Sequence, residues 1–228
     1  MAEPLSPEDL EAMTVPTWEQ ARAAIEAGDG ERALVLLDRA VAQSRSLQEY
    51  SINWITSLLS FIGRQLGEDA VEAALRTTGD EFVRPRRDTG APWASLPATT
   101  RAKAIARAML ANSGACEVTE DDEKITLSFR CGSGGRLIDE GRYDTEGGSY
   151  LTLKEPGPRT FGRDQLPVYC AHCSINNEIQ PLEWGEMATS VEFPSEGPGG
   201  RCIHHIYRDP DAVPAEAFER LGRTKPSP

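Results

Sequence analysis

The sequence predicts an α+β fold, an N-terminal helical half packed on a C-terminal antiparallel sheet. Three observations carry this expectation. Apolar residues recur at helical spacing through the first half, then at every second position after Cys116. Two turn-forming clusters, Glu120–Glu123 and Pro194–Gly200, separate alternating stretches as hairpins do. Helices first and strands second is an α+β order, not a series of βαβ units.

The elements follow in order. Trp18, Ala21, Ala24 and Ile25 form a stripe that predicts a helix over Trp18–Ala27. Gly28-Asp29-Gly30 breaks it, and Ala33, Leu34, Leu37, Ala40 and Val41 predict a second helix from Glu31 to about Ser44. Through Ala24, Gly28, Asp29, Ala33 and Leu34 this pair resembles a single tetratricopeptide-type hairpin; no second copy follows, so a solenoid is not expected. Leu47–Leu66 is apolar nearly all round, which suits a buried helix or a homodimer interface centred on Ile52–Ile62. Gly67-Glu68-Asp69 opens a helix that ends near Phe82, with Pro85 as its stop and Arg84, Arg86 and Arg87 at its C-terminus. A loop holds Trp93, and Thr99 or Thr100 caps a last helix through Ala111, ended by Asn112-Ser113-Gly114.

Ala115–Thr119 and Ile125–Cys131 predict a hairpin, with Ile125, Leu127, Phe129 and Cys131 on one face. In that register Cys116 lies opposite about Leu127, so it is expected to be a core thiol away from Cys131. Tyr150–Leu153 is a short strand, and Val168–Cys170 a strand end followed by a short helix through Glu183. Thr189–Phe193 and Arg201–Tyr207 form a second hairpin. The tail beyond Asp209 begins as a weak helix and is expected to fray. The expected organisation is a helical region over 1–111, a metal-binding sheet region over 112–208 and a flexible tail over 209–228.

Composition narrows the function classes. A net charge of −12 disfavours nucleic acid and anionic membranes as partners. The longest apolar stretch, Ile52–Ile62, is about half a membrane span, and the N-terminus lacks a secretory layout, so the expected location is cytoplasmic. Five cysteines is an odd number for a disulfide framework, and in a reducing compartment clustered cysteines point to metal or redox chemistry.

Four of the five predict one zinc site. Cys170 and Cys173 form C-A-H-C, whose spacing lets both sulfurs reach one ion. Cys131 precedes Gly132-Ser133-Gly134-Gly135, a turn able to aim backbone N–H groups at a thiolate. Cys202 shares a strand face with His204 and Ile206. Soft sulfur donors favour zinc over magnesium or calcium. Four thiolates close the tetrahedron, which favours a structural ion; His172, His204 or His205 in place of one cysteine leaves it closed. The main rival is a thiol–disulfide redox protein using Cys170 and Cys173; an iron–sulfur cluster ranks below it because the spacing fits neither ferredoxin pattern. Buried, unligated cysteines are the bland alternative.

Glu178 and His204 are the candidate acid–base pair, with a capped polar helix start as the competing reading for Glu178. Cys131–Arg136 is a candidate anion nest, but without the Lys-Ser/Thr ending of a P-loop, and Arg84, Arg86 and Arg87 are a candidate carboxylate or phosphate contact.

Cys170 and Cys173 at a helix start, Gly185 after it, Gly199-Gly200 in the hairpin, Cys202, then Ile206-Tyr207 resemble the vinyl-reductase-type and L-2-amino-thiazoline-4-carboxylic acid hydrolase-like ligand-binding family. The resemblance runs through Val168–Tyr207 and the helical run Gly67–Phe82; the N-terminal hairpin and the Cys131 loop depart from it. It implies a small-molecule pocket between helices and sheet, with hydrolysis as the associated activity. The competing expectations are therefore a zinc-stapled hydrolase or lyase acting on a small molecule, a non-catalytic ligand-binding or sensor module, and a CxxC redox protein.

Overall fold

Ser6 starts the first helix. The computed structural model describes residues 4–87, 90–112, 114–143 and 148–226. It is α+β, with helices preceding an antiparallel sheet, and divides into two compact units, 1–51 and 52–228. Helix α1 (Pro7–Thr14) is set by a capping box: the Asp9 N–H donates to Ser6 Oγ and the Ser6 N–H to the Asp9 carboxylate, each at 3.0 Å. The sequence reading left this segment without a helix. Helix α2 (Thr17–Glu26) and the first turns of α3 (Gly30–Leu66) pack through Ala24, Ala33 and Leu36 across the Gly28 turn. Gly28 adopts φ +75°, the left-handed conformation that glycine enters without steric cost.

The helices expected over 31–44 and 47–66 are one helix of 37 residues. No Gly or Pro lies between Gly30 and Gly63, and Arg45-Ser46 is ordinary helical sequence, so nothing interrupts the hydrogen-bond ladder.

In the second unit, Ile52 and Leu59 of α3 join Val71 and Leu75 of α4 (Glu68–Thr78) in the largest apolar core. The buried Thr56 and Ser60 hydroxyls donate back to the Ile52 and Thr56 carbonyls at 2.6 and 2.7 Å, which satisfies them inside that core. Ser60 Oγ also accepts the Leu151 N–H at 3.0 Å, fixing the entry to a two-stranded ribbon.

After α4 the chain makes a π-helical turn over Gly79–Val83 and continues into α5 (Arg84–Arg87). Pro85 does not stop the helix as expected. The Arg84 N–H already reaches back to the Gly79 carbonyl, and Pro85 falls in the first turn after that shift, where its missing N–H is tolerated. Gly79 is where this turn meets a buried amide network. Asn176 Nδ2 donates to the Leu75 carbonyl and to Gln180 Oε1, each at 2.8 Å, and Gln180 Nε2 donates to the Arg76 carbonyl at 2.9 Å. A Cβ on Gly79 would lie 1.8 Å from Gln180 Oε1 and 2.6 Å from Asn176 Nδ2. Gly79→Ala is expected to break the network and destabilise the protein by about 2–4 kcal/mol, measured by urea unfolding.

Helix α6 (Ala98–Ala111) begins at Ala98 behind Pro97 and has no side-chain cap, so neither Thr99 nor Thr100 plays the expected capping role. Of its expected stop signal, Ser113 lies outside the described residues. The helix packs Ala98 and Ala102 on Ile125, Leu127 and Ile206.

That sheet has the order β1 (Cys116–Glu120), β2 (Lys124–Phe129), β6 (Cys202–Tyr207), β5 (Ser190–Phe193), with every pair antiparallel. Asp121 Oδ1 accepts the Glu123 and Lys124 N–H groups at 2.9 and 2.8 Å, which closes the first hairpin. The register places Cys116 opposite Phe129, two residues later than expected, because Glu120 and Ile125 already pair across a tight turn. A ribbon of β3 (Thr152–Leu153) and β4 (Leu166–Pro167) lies between the hairpins in sequence. Val168–Cys170 is a 3₁₀ turn following β4, not a strand end: the strand stops at Pro167. The chain after Asp209 has more anchors than a frayed tail. Phe218 and Leu221 around α9 (Ala215–Glu219) are buried, Arg223 pairs with Glu183, and Lys225 donates to the Asp211 carbonyl at 2.6 Å. Residues 227–228 lie outside the described residues. None of the described helices is long and apolar enough to cross a membrane.

Candidate functional site

Strand β2 ends at Phe129, and Cys131 stands two residues beyond it, at the entrance to the short helix α7 (Gly134–Asp139). The glycines here are packing requirements. A Cβ on Gly134 would lie 3.0 Å from Cys170 Sγ and from the Tyr169 ring, and one on Gly135 would lie 3.1 Å from Cys131 Cβ. The turn therefore presses against the Val168–Cys170 segment and brings Cys131 and Cys170 into one neighbourhood. The sequence predicts a glycine-rich turn here, and the structure adds a six-residue helix to it.

The Ser133 and Gly135 amides donate to the Cys131 sulfur, and Ser133 Oγ lies 2.9 Å from it. Cys202, at the start of β6, is the strongest single influence on the same sulfur. Cys202, with the amides, draws the Cys131 thiol down to about 4 against the pull of burial. Cys202 moves the opposite way, because its proton is held by Cys131; the Ser195 amide also donates to its sulfur.

Cys170 is buried, and burial together with the Cys131 charge pushes its thiol up to about 12. Cys173 is raised well above the ordinary range, first by burial and then by Glu192, Cys170 and Cys131. Each of these four sulfurs thus acts on, or is acted on by, another of the set. Cys116 does not join them: burial raises it, and its charged neighbours are Arg201 and Glu117.

The histidines take different places. His172 Nδ1 is 2.5 Å from the Tyr169 carbonyl, so that nitrogen carries the proton and Nε2 presents its lone pair to Cys173 Sγ at 3.5 Å. His204 is buried on the sheet face shared with Cys202, 3.5 Å from Glu192 Oε1 through Nδ1, with its ring tilted against Phe129. His205 faces the other side and meets Thr126 Oγ1 at 2.9 Å. Cys131, Cys173, Cys202, His172, His204, Asn177 and Glu192 line one small cleft of about 60 Å³. That is room for an ion or a few waters, far below the several hundred Å³ of a small-molecule site.

Glu178 lies on a π-helical segment, Cys173–Ile179, that runs into α8 (Gln180–Glu183). Pro181 cannot donate to the carbonyl four residues back, and the π register upstream accommodates that defect. Both Glu178 oxygens are committed: Arg220 Nη2 reaches them at 2.6 and 2.5 Å, and the Glu192 N–H donates to Oε1 at 2.6 Å. Burial is the leading influence on this carboxyl and pushes it up to about 8, with Arg220 opposing. The Arg220 guanidinium is sandwiched between Phe161 and Phe193, at 4.7 and 5.0 Å from the ring centroids, and donates to the Glu192 carbonyl at 2.6 Å. Arg220 had no sequence signal, because it lies in a weakly helical tail far from the cysteines.

The candidate anion contacts are differently employed. Arg87 pairs with Glu186 at 2.6 Å and Arg84 stacks on Trp184, while Arg136 pairs with Glu140 at 2.6 Å. A larger cleft of about 660 Å³ lies elsewhere, lined by Leu182, Met187, Ala188, Pro210, Phe218 and the Arg223–Pro226 segment.

No family model, no curated protein and no solved structure matches this chain. The ligand-binding resemblance therefore rests on the residues quoted for it alone.

A zinc ion can be tested against this geometry. The donor chemistry fits: four sulfurs from three chain segments, one of them lowered towards the thiolate, with the Glu192 carboxylate beside them. The positions are less complete. Among the described residues, no three His, Cys, Asp or Glu side chains come together closely enough to hold a metal ion.

Proposed function

We propose that this chain is a zinc protein in which Cys131, Cys170, Cys173 and Cys202 hold one structural ion. The observation that carries the reading is the partition of the cysteines: four share one electrostatic neighbourhood while Cys116 stands apart. Bound there, zinc would supply a fixed tetrahedral cross-link. The chain's own residues do the rest. The Ser133 and Gly135 amides spread the Cys131 charge, the Ser195 amide does the same for Cys202, and His172 Nε2 faces Cys173. The cross-link would join the end of β2, the C-A-H-C turn and the start of β6.

The cleft beside the sulfurs is of ion and water size, so a small-molecule role belongs to the larger cleft around Leu182, Met187 and Phe218. We read Glu178 as a clamp for Arg220, because neither of its oxygens is left for a substrate proton. His204 lines the cysteine cleft, where an ion or a water is what it can meet. These assignments favour a zinc-stapled binding protein over a hydrolase or lyase centred on Glu178 and His204.

A second reading is a Cys131–Cys202 dithiol that cycles to a disulfide. It is favoured by the mutual influence of those two thiols and by the lack of a third donor converging on them among the described residues. The C-A-H-C pair is a weaker redox candidate, because burial keeps both of its thiols protonated.

Cobalt substitution separates the readings. Titrating Co²⁺ into the reduced protein is expected to give sulfur-to-metal charge-transfer bands saturating at one equivalent, weakened by Ser at any of the four positions and untouched by Cys116→Ser. A protein that develops no such bands, and forms a Cys131–Cys202 disulfide under mild oxidation, is a dithiol protein and not a zinc protein.

A further inference from the structure

The inner face of α3 in the second unit is settled, with Ile52, Thr56, Leu59 and Ser60 buried. Its outer face is as apolar as the inner one. Trp54, Ile55, Leu58 and Phe61 are 58, 45, 49 and 62% exposed, at spacings that place them on one side of the helix. From Tyr50 to Gly63 the helix carries no charged residue. A helix apolar on both faces normally has both faces covered.

We propose that a second copy of this chain covers the outer face, the two α3 helices packing against each other across a twofold axis. The area fits that occupant. At these exposures the four side chains leave on the order of 500 Å² per copy, so a symmetric pair buries about 1,000 Å², the lower bound for a specific interface. The dimer is accordingly weak and reversible. An uncharged stripe offers no electrostatic address for a different protein, whereas a second copy matches it in length and apolarity. Anionic lipid is a poor alternative for a chain of net charge −12. The same charge makes the two copies repel, so added salt screens the repulsion and strengthens this dimer, the reverse of charge-driven association. The inference is independent of the metal reading.

Sedimentation velocity of the full chain over a hundredfold concentration range, at low and at moderate salt, tests it. The weight-average coefficient is expected to rise from the monomer towards the dimer value with concentration, and to rise sooner in salt. Leu58→Glu with Phe61→Glu places like charges in the seam and is expected to weaken self-association at least about 100-fold. Circular dichroism should show the fold unchanged in that variant. Val118→Glu, at an exposed apolar position on β1, should dimerise like the parent. A coefficient independent of concentration at both salts would mean that something other than a second copy covers the face. A dimer that survives the Leu58/Phe61 double change, or dissolves equally in Val118→Glu, would place the interface elsewhere; either result overturns the proposal.

Discussion

If the four cysteines hold zinc as proposed, a chelator is expected to cost this protein at least about 3 kcal/mol of unfolding free energy, or roughly 6–12 °C in Tm at its size. The reason lies in what the ion would tie together. Cys131 follows the end of β2, Cys202 begins β6, and the C-A-H-C turn belongs to the segment between them. Without a cation, the lowered Cys131 thiol shares its surroundings with two raised thiols and the Glu192 carboxylate. Stoichiometric zinc should restore the lost stability, and Cys116→Ser should respond to chelator and zinc as the parent does. Differential scanning calorimetry with and without chelator makes the comparison. A melting temperature indifferent to the chelator would mean that the sulfurs hold no structural ion.

Arg220→Met carries the second large effect. The wild-type guanidinium is the partner of a carboxylate that is otherwise fully enclosed, and removing one member of such a pair typically costs about 3–5 kcal/mol. The pH dependence follows from the direction of the Glu178 shift. Burial raises its folded-state value to about 8, above the unfolded value near 4.5, so the folded state binds the proton more tightly. The stability associated with the protonated carboxyl is fully present below the unfolded value and is lost as pH rises through the folded one. Loss of Arg220 raises the folded value further. The destabilisation by Arg220→Met should thus reach that size only above pH 8, where the parent carboxyl is ionised against Arg220, and be smaller and nearly flat from pH 5 to pH 7. Pairing it with Glu178→Gln should remove the part of the loss that appears above pH 8, because no buried carboxylate is left to ionise. Urea unfolding at pH 6 and pH 9 reads both effects.

The fold was legible where one physical signal dominated. Period-two alternation marked β1, β2, β5 and β6, and Asp121 at a polar turn marked the first hairpin. Positions depending on several competing signals were harder to read. The boundary expected near Arg45-Ser46 has no breaker residue behind it, and polarity on an exposed helical turn breaks nothing. Pro85 reads as a stop in any local rule, and only the π turn at Gly79 makes it tolerable. Helix α1 announced itself through Ser6-Pro7 and Asp9, a capping signal that an acidic terminus made easy to pass over.

The site was partly legible for a similar reason. Spacing and strand alternation singled out Cys131, Cys170, Cys173 and Cys202, and the glycines after Cys131 pointed to the amides that reach its sulfur. Nothing local foretold that Arg220, 42 positions away, would claim Glu178, or that Glu192 would stand beside His204. Those are tertiary pairings made by a tail and a hairpin, and burial sets their energetics.

The most direct measurement is the metal content of the purified, reduced protein by elemental analysis, alongside single Ser variants of all five cysteines. One zinc per chain, retained in Cys116→Ser and lost or sharply reduced in Cys131→Ser, Cys170→Ser, Cys173→Ser and Cys202→Ser, is the predicted result. A metal-free parent, or zinc retained in all five variants, would contradict the four-cysteine site.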